Sequence, residues 1–227
     1  MTMQYVVATI KPWNFKQYEQ LVNRDHENQW TLISDPIELD LGRLKKIQPK
    51  YIFFPHWSWI IPKEIWTEFE CIAFHMTDLP FGRGGTPLQN LIANGIEKTM
   101  ISAFRVNGQL DGGPIYMKRP LSLDGAAQEI YQKKSKVIFT EMIPEIIATN
   151  PKPKQQAGKP VEFTRRVPAQ SEISDKMTIN QIYDHIRMLD ADGYPYAFLK
   201  IGKNKFLFKN VKKKDKSLEA NVEIYEE

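Results

Sequence analysis

The sequence predicts an α/β protein with an open, mostly parallel sheet that has helices on both faces, followed by a small C-terminal α+β module. Through the first 80 residues, short runs rich in β-branched and aromatic residues alternate with amphipathic stretches. The segment 150–160 is rich in proline and has no large apolar residue, which is typical of a linker. After this segment the pattern changes to one amphipathic stretch and several β-rich runs.

The strands of the first part have nearly continuous apolar runs, as expected where both faces of a parallel sheet are buried. They are predicted at Gln4–Ile10, Trp30–Ser34, Tyr51–Phe54, Cys71–Met76 and Thr99–Val106. Helices are predicted where apolar residues recur at helical spacing, over 13–22, 39–47, 62–69 and 125–149. The C-terminal part is predicted to hold a helix at Asn180–Leu189 and strands at Tyr196–Ile201, Lys205–Val211 and Asn221–Tyr225.

These elements predict a domain over residues 1–150, a linker over 151–163 and a C-terminal module over 164–227. Charge is divided unevenly between these parts. Residues 1–150 hold 16 Lys and Arg against 16 Asp and Glu, whereas residues 151–227 hold 15 against 11. The net charge of +4 therefore belongs to the last third, chiefly to Lys203–Lys216, and the neutral first domain argues against nucleic acid as a partner.

Composition excludes several other classes of protein. A single cysteine, Cys71, excludes an intramolecular disulfide and a cysteine-rich zinc site. No apolar run approaches the roughly 20 residues of a membrane helix, and the N-terminus lacks a signal-peptide pattern. We therefore expect a cytoplasmic protein with no membrane partner. The four histidines are scattered rather than paired, which argues against a zinc hydrolase.

One histidine and one aspartate stand where sites of open α/β sheets are built. His75 ends the fourth predicted strand, and Asp111 follows the fifth in the run LDGGP. A carboxylate beside an imidazole could hold its tautomer and raise its basicity. Alternatively, His75 is an ordinary strand-end histidine and Asp111 belongs to a routine Asp-Gly turn.

The residues around this pair carry a resemblance to a known family. The motifs occur in a fixed order: FHMTDLP (74–80), then RGGTP (83–87), Asn94-Gly95, Thr99 and LDGGP (110–114). This order resembles that of the formyltetrahydrofolate-dependent formyltransferases, densely over about 51–116 and more weakly through 164–198. The run 74–85 looks most like the bacterial enzymes that formylate amino-sugar nucleotides, in particular those of pseudaminic-acid-type pathways. The short C-terminal part points the same way.

The resemblance implies a Rossmann-like catalytic domain, 10-formyltetrahydrofolate as formyl donor, no metal, and catalysis by His75 and Asp111. The family has a third catalytic residue, an asparagine two residues before the histidine, but this chain has Ala73 there. Losing such a donor typically costs about 2.7–4 kcal/mol of transition-state stabilisation. His56, in the loop after the third strand, is the leading candidate to replace it. A merely packed loop at His56 is the alternative.

The resemblance also implies binding residues. The folate is expected to lie against the loop that follows the third strand and the segment that precedes Asp111. The residues concerned are Trp57, Trp59, Ile60, Ile61, Arg105 and Leu110. Arg83 and the backbone of Gly84 and Gly85 are expected to meet the acceptor, a UDP- or dTDP-linked amino sugar. Simple core packing of the aromatic residues and a tight turn at the glycines are the alternatives.

Two other functions stay open from the sequence. Methionyl-tRNA formylation would give the Lys203–Lys216 cluster a phosphate-binding role, although lysines also protect the edge strands of a hairpin. A non-catalytic folate or sugar-nucleotide binding module would account for Ala73. A homodimer through the C-terminal module is a further prediction, and it rests on the apolar residues Ile182, Ile186, Leu189, Phe198, Phe206 and Phe208.

Overall fold

The computed structural model describes residues 2–226. In chain order the strands are β1 (Gln4–Thr9), β2 (Gln29–Ile33), β3 (Tyr51–His56), β4 (Cys71–His75), β5 (Arg83–Gly84), β6 (Lys98–Arg105), β7 (Ile115–Ser122), β8 (Glu162–Phe163), β9 (Ala197–Ile201), β10 (Asn204–Lys213) and β11 (Leu218–Glu226). The α-helices are α1 (Pro12–Val22), α2 (Leu41–Ile47), α3 (Lys63–Glu68), α4 (Pro87–Ala93), α5 (Ala127–Val137), α6 (Ile143–Thr149) and α7 (Ile179–Arg187).

The main sheet has the strand order β2-β1-β3-β4-β6-β7. Its pairs β1–β2, β1–β3 and β3–β4 are parallel, and β6 runs antiparallel to β4. The strands β9, β10 and β11 form a separate antiparallel sheet. This arrangement confirms the predicted fold class, a mostly parallel sheet followed by a small C-terminal sheet module.

Helices cover both faces of the main sheet. Successive strand residues point to opposite sides, and because the parallel strands are mostly apolar, both faces must be buried. On one face, Phe54 packs in a buried cluster with Leu44 of α2 and Ile65 of α3. On the other face, the ring of Phe53 stacks on Trp30, whose indole lines a cavity together with residues of α1 and α6. The carboxyl ends of β1, β3 and β4 therefore emerge between two helical layers.

The helix predicted over 125–149 is interrupted. Residues Ile138–Met142 form a π-helical turn between α5 and α6, in which the Ile143 N–H bonds to the Ile138 carbonyl. Pro144 accounts for the interruption, because proline has no N–H and its ring clashes with the carbonyl four residues before it.

The structure also contains a strand that the sequence did not predict. Strand β7 lies at the edge of the sheet and contains Pro120. Proline is tolerated at an edge because no neighbouring strand needs its missing N–H.

The chain forms two compact units. The first contains the residues up to Arg83 together with Met100–Leu121 and Gln132–Glu162, and the second contains Gly84–Thr99, Ser122–Tyr131 and the chain from Phe163 onward. Part of the segment predicted as a linker makes defined contacts in the first unit, where Lys154 and Ile115 exchange two backbone hydrogen bonds of 2.7 and 2.8 Å. The predicted division into 1–150, 151–163 and 164–227 stays a prediction.

In the second unit, α7 packs against β10. Several residues that were expected to offer a dimer surface are instead buried inside this unit: Ile186, Leu189 and Phe198 are 2%, 4% and 8% exposed. The exposed large hydrophobic side chains of the sheet include Ile201, Val222, Ile224 and Tyr225. Association of two copies through this module stays a prediction. Within residues 2–226, no helix has both the length and the apolar character needed to cross a bilayer.

Candidate active site

His75 and Asp111 meet at the carboxyl edge of the main sheet. His75 is the last residue of β4, and its Nδ1 lies 3.6 Å from Oδ2 of Asp111. Its Nε2 lies 2.8 Å from the carbonyl oxygen of Gly82. Because a carbonyl oxygen only accepts hydrogen bonds, Nε2 carries the proton, so a neutral His75 presents an unprotonated Nδ1 to Asp111. The pair therefore has one position for a mobile proton, between Nδ1 and the carboxylate.

Burial favours the neutral form of the His75 imidazole over the charged form, compared with an imidazole in water. Desolvation is the largest influence on the pKa of His75 and lowers it. The charge of Asp111 and the hydrogen bond to Gly82 oppose this effect, whereas the positive charge of Lys134 adds to the lowering of the pKa. A neutral imidazole beside a carboxylate can accept a proton from an attacking amine.

The loop that carries Asp111 is fixed by a residue of the predicted linker. Gln156 Nε2 donates to the carbonyl oxygens of Asp111 and Gly113, at 2.7 and 2.8 Å. Gln156 Oε1 accepts from the Arg83 guanidinium, at 2.6 Å from Nη2 and 3.2 Å from Nε. Arg83 is therefore engaged in holding this loop. Gln156 was not predicted from the sequence, because its neighbours are typical of a linker.

The second glycine of the LDGGP run, Gly113, is required by a close backbone contact. Asp111 adopts the left-handed conformation, with φ of 45°. A Cβ on Gly113 would lie 1.7 Å from the Arg105 carbonyl oxygen, and the adjacent Arg105 N–H donates to the Pro114 carbonyl at 2.8 Å. A side chain at position 113 would therefore force the loop away from β6.

Gly113→Ala is expected to lower the free energy of unfolding by about 1–3 kcal/mol, since the new methyl group overlaps backbone that has no room to move. Chemical denaturation measures this change. Gly108→Ala is the matched control in the same loop, because a Cβ there would lie at an ordinary 3.7 Å from Trp66. Equal stability of the two variants would contradict this account.

Lys134 is a second residue of the site that the sequence did not reveal. It lies on α5, is 6% exposed, and its Nζ donates to the Pro55 carbonyl at 3.1 Å. Burial lowers the pKa of Lys134 to about 8, against the opposing charge of Asp111. Helical spacing gave a usable signal, because position 134 falls on the same face as the buried Ile130 and Tyr131.

His56 lies at the same sheet edge, at the end of β3. Its ring packs edge-on against Trp13 with 5.7 Å between ring centroids, and its carbonyl accepts from the Thr9 hydroxyl. Burial, followed by the charges of Lys134 and Lys11, lowers the pKa of His56 well below the usual range. His56 is thus a neutral, packed imidazole, and its predicted role as a substitute donor stays a prediction.

Ala73 lies two residues before His75 on β4, in register with Phe54 of β3 and Phe104 of β6. Its methyl group packs against the apolar cluster beneath the sheet. No hydrogen bond to a ligand is possible from this side chain. The departure from the family pattern is therefore a loss of a donor at this position.

The loops around the pair expose apolar side chains. Trp57 packs against the core and meets Trp59 edge-on, with ring centroids 5.2 Å apart. Trp59, Ile60 and Leu110 are 47%, 94% and 68% exposed, whereas Ile61 packs against the core. Arg105 forms an ion pair of 2.7 Å with Glu70. The structure thus leaves apolar surface on the loops predicted to bind a folate.

The predicted acceptor-binding glycines have structural contacts. The Gly85 N–H donates to the Phe163 carbonyl at 3.3 Å, and a Cβ on Gly84 would lie 2.7 Å from the same oxygen. Gly84 has φ of 98°, which favours glycine. These residues are needed for a close approach of two chain segments, and the Gly85 N–H is engaged. Within residues 2–226, no cluster of three or more His, Cys, Asp or Glu side chains could hold a metal ion.

Comparison with known proteins identifies the family of these elements. A family model described as "Methionyl-tRNA formyltransferase, C-terminal domain" matches residues 168–225. A solved methionyl-tRNA formyltransferase from Clostridium thermocellum is 50% identical, with a TM-score of 0.98 over 99% of this chain and 100% of that chain. The methionyl-tRNA formyltransferase of Thermodesulfovibrio yellowstonii is 28% identical over 167 residues, 70% of this chain and 54% of that protein. This chain thus spans about half the length of the curated relatives that it matches.

A more distant structure shares only the fold. HypX from Aquifex aeolicus in complex with tetrahydrofolic acid is 16% identical, with a TM-score of 0.76 over 93% of this chain and 38% of that chain. The prediction of a sugar-nucleotide acceptor is wrong, because the relatives at 50% and 28% identity are methionyl-tRNA formyltransferases. The prediction that nucleic acid is not a partner is wrong for the same reason.

Proposed function

We propose, from the premise that this chain belongs to the formyltransferase family, that it transfers a formyl group from 10-formyltetrahydrofolate to the amino group of methionyl-tRNA. The observation that carries the proposal is the 50% identity, over nearly the whole of both chains, to a methionyl-tRNA formyltransferase structure. The family model matched by the C-terminal sheet module supports the same acceptor.

The apolar loops fit the donor. A pteridine ring is flat and largely apolar on its faces, and such rings bind where aromatic side chains and backbone groups converge. The exposed Trp59, Ile60 and Leu110 would provide the apolar surface, with Trp57 and Ile61 as the packed layer beneath them. Arg105, whose guanidinium pairs with Glu70 at 2.7 Å, would offer its positive charge to the folate carboxylates. The HypX complex supports folate binding by this fold.

His75 and Asp111 would manage the proton of the reaction. The bond that forms joins the acceptor nitrogen to the formyl carbon, and the bond that breaks joins that carbon to the donor nitrogen. The attacking amine must lose one proton and the departing nitrogen must gain one. Nδ1 of His75 would accept the first proton, with Asp111 orienting the ring and stabilising the charged imidazolium.

The lysines of the C-terminal module would bind the tRNA phosphates. Lys203, Lys212, Lys213 and Lys216 are exposed on or next to the hairpin of β10 and β11. None of them has an ion-pair partner in the part of the chain that the structure describes, unlike Lys209, which pairs with Glu223 at 2.7 Å. Unpaired lysines on a strand pair are available to a polyanion.

The test combines the purified chain with 10-formyltetrahydrofolate and charged initiator tRNA, and measures tetrahydrofolate release together with formyl-methionine on the tRNA. We expect release that depends on charged tRNA and falls steeply with salt, because phosphate contacts release counterions. An amino-sugar nucleotide serves as the comparison acceptor. Folate binding without release on any tRNA would contradict the proposal and favour a non-catalytic binding module.

A lysine variant isolates the tRNA contact. Replacing Lys212, Lys213 and Lys216 together with glutamine should raise the KM for tRNA, leave the KM for the donor unchanged and flatten the salt dependence. Lys45→Gln combined with Lys46→Gln is the matched control, because these lysines are equally exposed but lie on α2 of the first unit. An identical KM in both variants would contradict a tRNA role for the hairpin.

A further inference from the structure

Ala73 leaves the reacting centre without the amide that the family pattern places there. Negative charge develops on the formyl oxygen when the amine attacks, and a site without a donor at that oxygen loses a large part of its catalysis. A replacement donor must lie buried at the same edge of the sheet and must not be fully used by other protein groups.

Most polar groups near the pair are already engaged. His75 Nε2–H donates to Gly82, the Arg83 guanidinium donates to Gln156, and Arg105 pairs with Glu70. Lys134 differs from all of them. An ammonium has three N–H donors, and the Pro55 carbonyl is the one acceptor that Lys134 has within residues 2–226. Lys134 is only 6% exposed, so two charged N–H donors are left without an acceptor from residues 2–226, which is costly unless another group accepts from them.

The anchor of Lys134 places it near position 73. Its acceptor, Pro55, directly follows Phe54, and Phe54 is the register partner of Ala73 on the adjacent strand. Neighbouring strands of a sheet lie about 4.8 Å apart. His75 stands two residues beyond Ala73 on β4, so the ammonium, Ala73 and His75 belong to the same short stretch of the sheet edge.

We propose that Lys134 supplies, as a buried ammonium, the stabilisation of the formyl oxygen that the family obtains from the missing asparagine amide. This proposal rests on the proposed formyl transfer and names a further catalytic residue for it. The acceptor nitrogen bonds to the formyl carbon while one electron pair of the C=O bond moves to the oxygen, and Lys134 N–H donates to that oxygen. When the electron pair returns, the bond to the donor nitrogen breaks, and the proton held at His75 passes to that nitrogen.

The charges around Lys134 fit this role. Asp111 and His75 lie within electrostatic range of the ammonium from the loop after β6 and from β4, and His56 lies within range from β3. Lys11, which precedes α1, acts on His56. Among residues 2–226, Asp111 is the acid whose charge favours the charged form of Lys134. The ammonium in turn lowers the pKa of His75, which keeps that ring neutral and able to accept a proton.

The first test replaces Lys134 with methionine, which keeps the length and apolar character of the stem. We expect kcat to fall by about 10²–10³-fold, as for loss of one oxyanion donor, with little change in the KM for the donor. Lys136→Met is the matched control, since Lys136 is an exposed lysine on the same helix. Ala73→Asn introduced into the Lys134→Met variant should recover part of kcat. An unchanged kcat in the single variant, or no recovery in the double variant, overturns the proposal.

The second test uses pH and does not depend on the methionine variant folding. Because burial lowers the pKa of Lys134 to about 8, kcat should decline as pH rises through about 8 and the ammonium loses its proton. Lys134→Arg keeps its charge at such pH values and should move this decline to higher pH. An identical alkaline decline in the two proteins overturns the proposal.

The third test reads the site without any turnover, so it separates this proposal from the assignment of the acceptor. NMR titration of the ligand-free protein follows His75, and the pKa of His75 should rise in Lys134→Met because a nearby positive charge is removed. Lys136→Met should leave it unchanged. Failure of methionyl-tRNA formylation with a normal His75 response would overturn the proposed acceptor alone. An unmoved His75 titration in Lys134→Met would overturn the assignment of Lys134.

Discussion

His75→Gln is expected to lower kcat by about 10²- to 10⁴-fold, the usual contribution of a positioned general base. Glutamine can still donate to the Gly82 carbonyl, which His75 holds at 2.8 Å, so the loop should keep its place. The amide cannot accept a proton near neutral pH, so the attacking amine loses its base. Steady-state kinetics with charged tRNA, together with binding of a non-transferring folate analogue, separates the loss of chemistry from loss of binding.

The control for this variant is His26→Gln, because His26 is exposed in the loop that follows α1. The pH profile of the parent protein gives a second check. Since burial lowers the pKa of His75, activity should persist to a more acidic pH than a free imidazole would permit and then decline as the ring is protonated. Near-normal turnover in His75→Gln would remove His75 from the reaction.

Asp111→Asn is expected to lower kcat on the order of 10²–10⁴-fold while preserving the shape of the loop. The asparagine Nδ2–H can donate to Nδ1 of His75, and that contact would block the atom that must take the proton. Loss of the carboxylate also removes the charge that raises the pKa of His75. The acid decline of the remaining activity should therefore move to lower pH.

The pH at which activity falls on the acidic side distinguishes a carboxylate that acts on His75 from one that only holds the loop. Asp192→Asn is the matched control, because Asp192 is an exposed aspartate of the second unit. Gly113→Ala offers a contrasting case, since it disturbs the loop and keeps the carboxylate. A loss of activity in Asp111→Asn with an unmoved acid decline would assign Asp111 a structural role only.

The sequence predicted the sheet, the small C-terminal sheet and the His75–Asp111 pair, because these depend on local patterns. Continuous apolar runs predict buried parallel strands. The order of the motifs over residues 74–114 indicates which strand ends carry the polar residues. The interruption of the long helix at Pro144 was also readable in principle from the proline itself.

Lys134 and Gln156 were missed for two different physical reasons. A lysine between other lysines on a helix is normally solvated. Only the spacing of Lys134 from the buried Ile130 and Tyr131 indicated that its side chain lies on the buried face of the helix. Gln156 stands among prolines, where composition indicates a flexible linker, and its contacts with Asp111 and Arg83 depend entirely on tertiary structure. The identity of the acceptor was predicted wrongly because that prediction rested on residues 74–85 and on the short C-terminal part, whereas the family model that names methionyl-tRNA matches residues 168–225.

The contacts of Gln156 imply that residues 1–150 alone do not contain everything that holds His75 and Asp111 in place. One amide joins the Asp111 loop to Arg83, and it belongs to a stretch that follows the last helix packed on the sheet. A chain cut after residue 150 would retain every strand of the main sheet together with His75 and Asp111. It would lose the Gln156 amide, which holds the loop that carries Asp111. The residues needed to form the sheet therefore end before residue 150, whereas the residues needed to hold the Asp111 loop extend at least to Gln156.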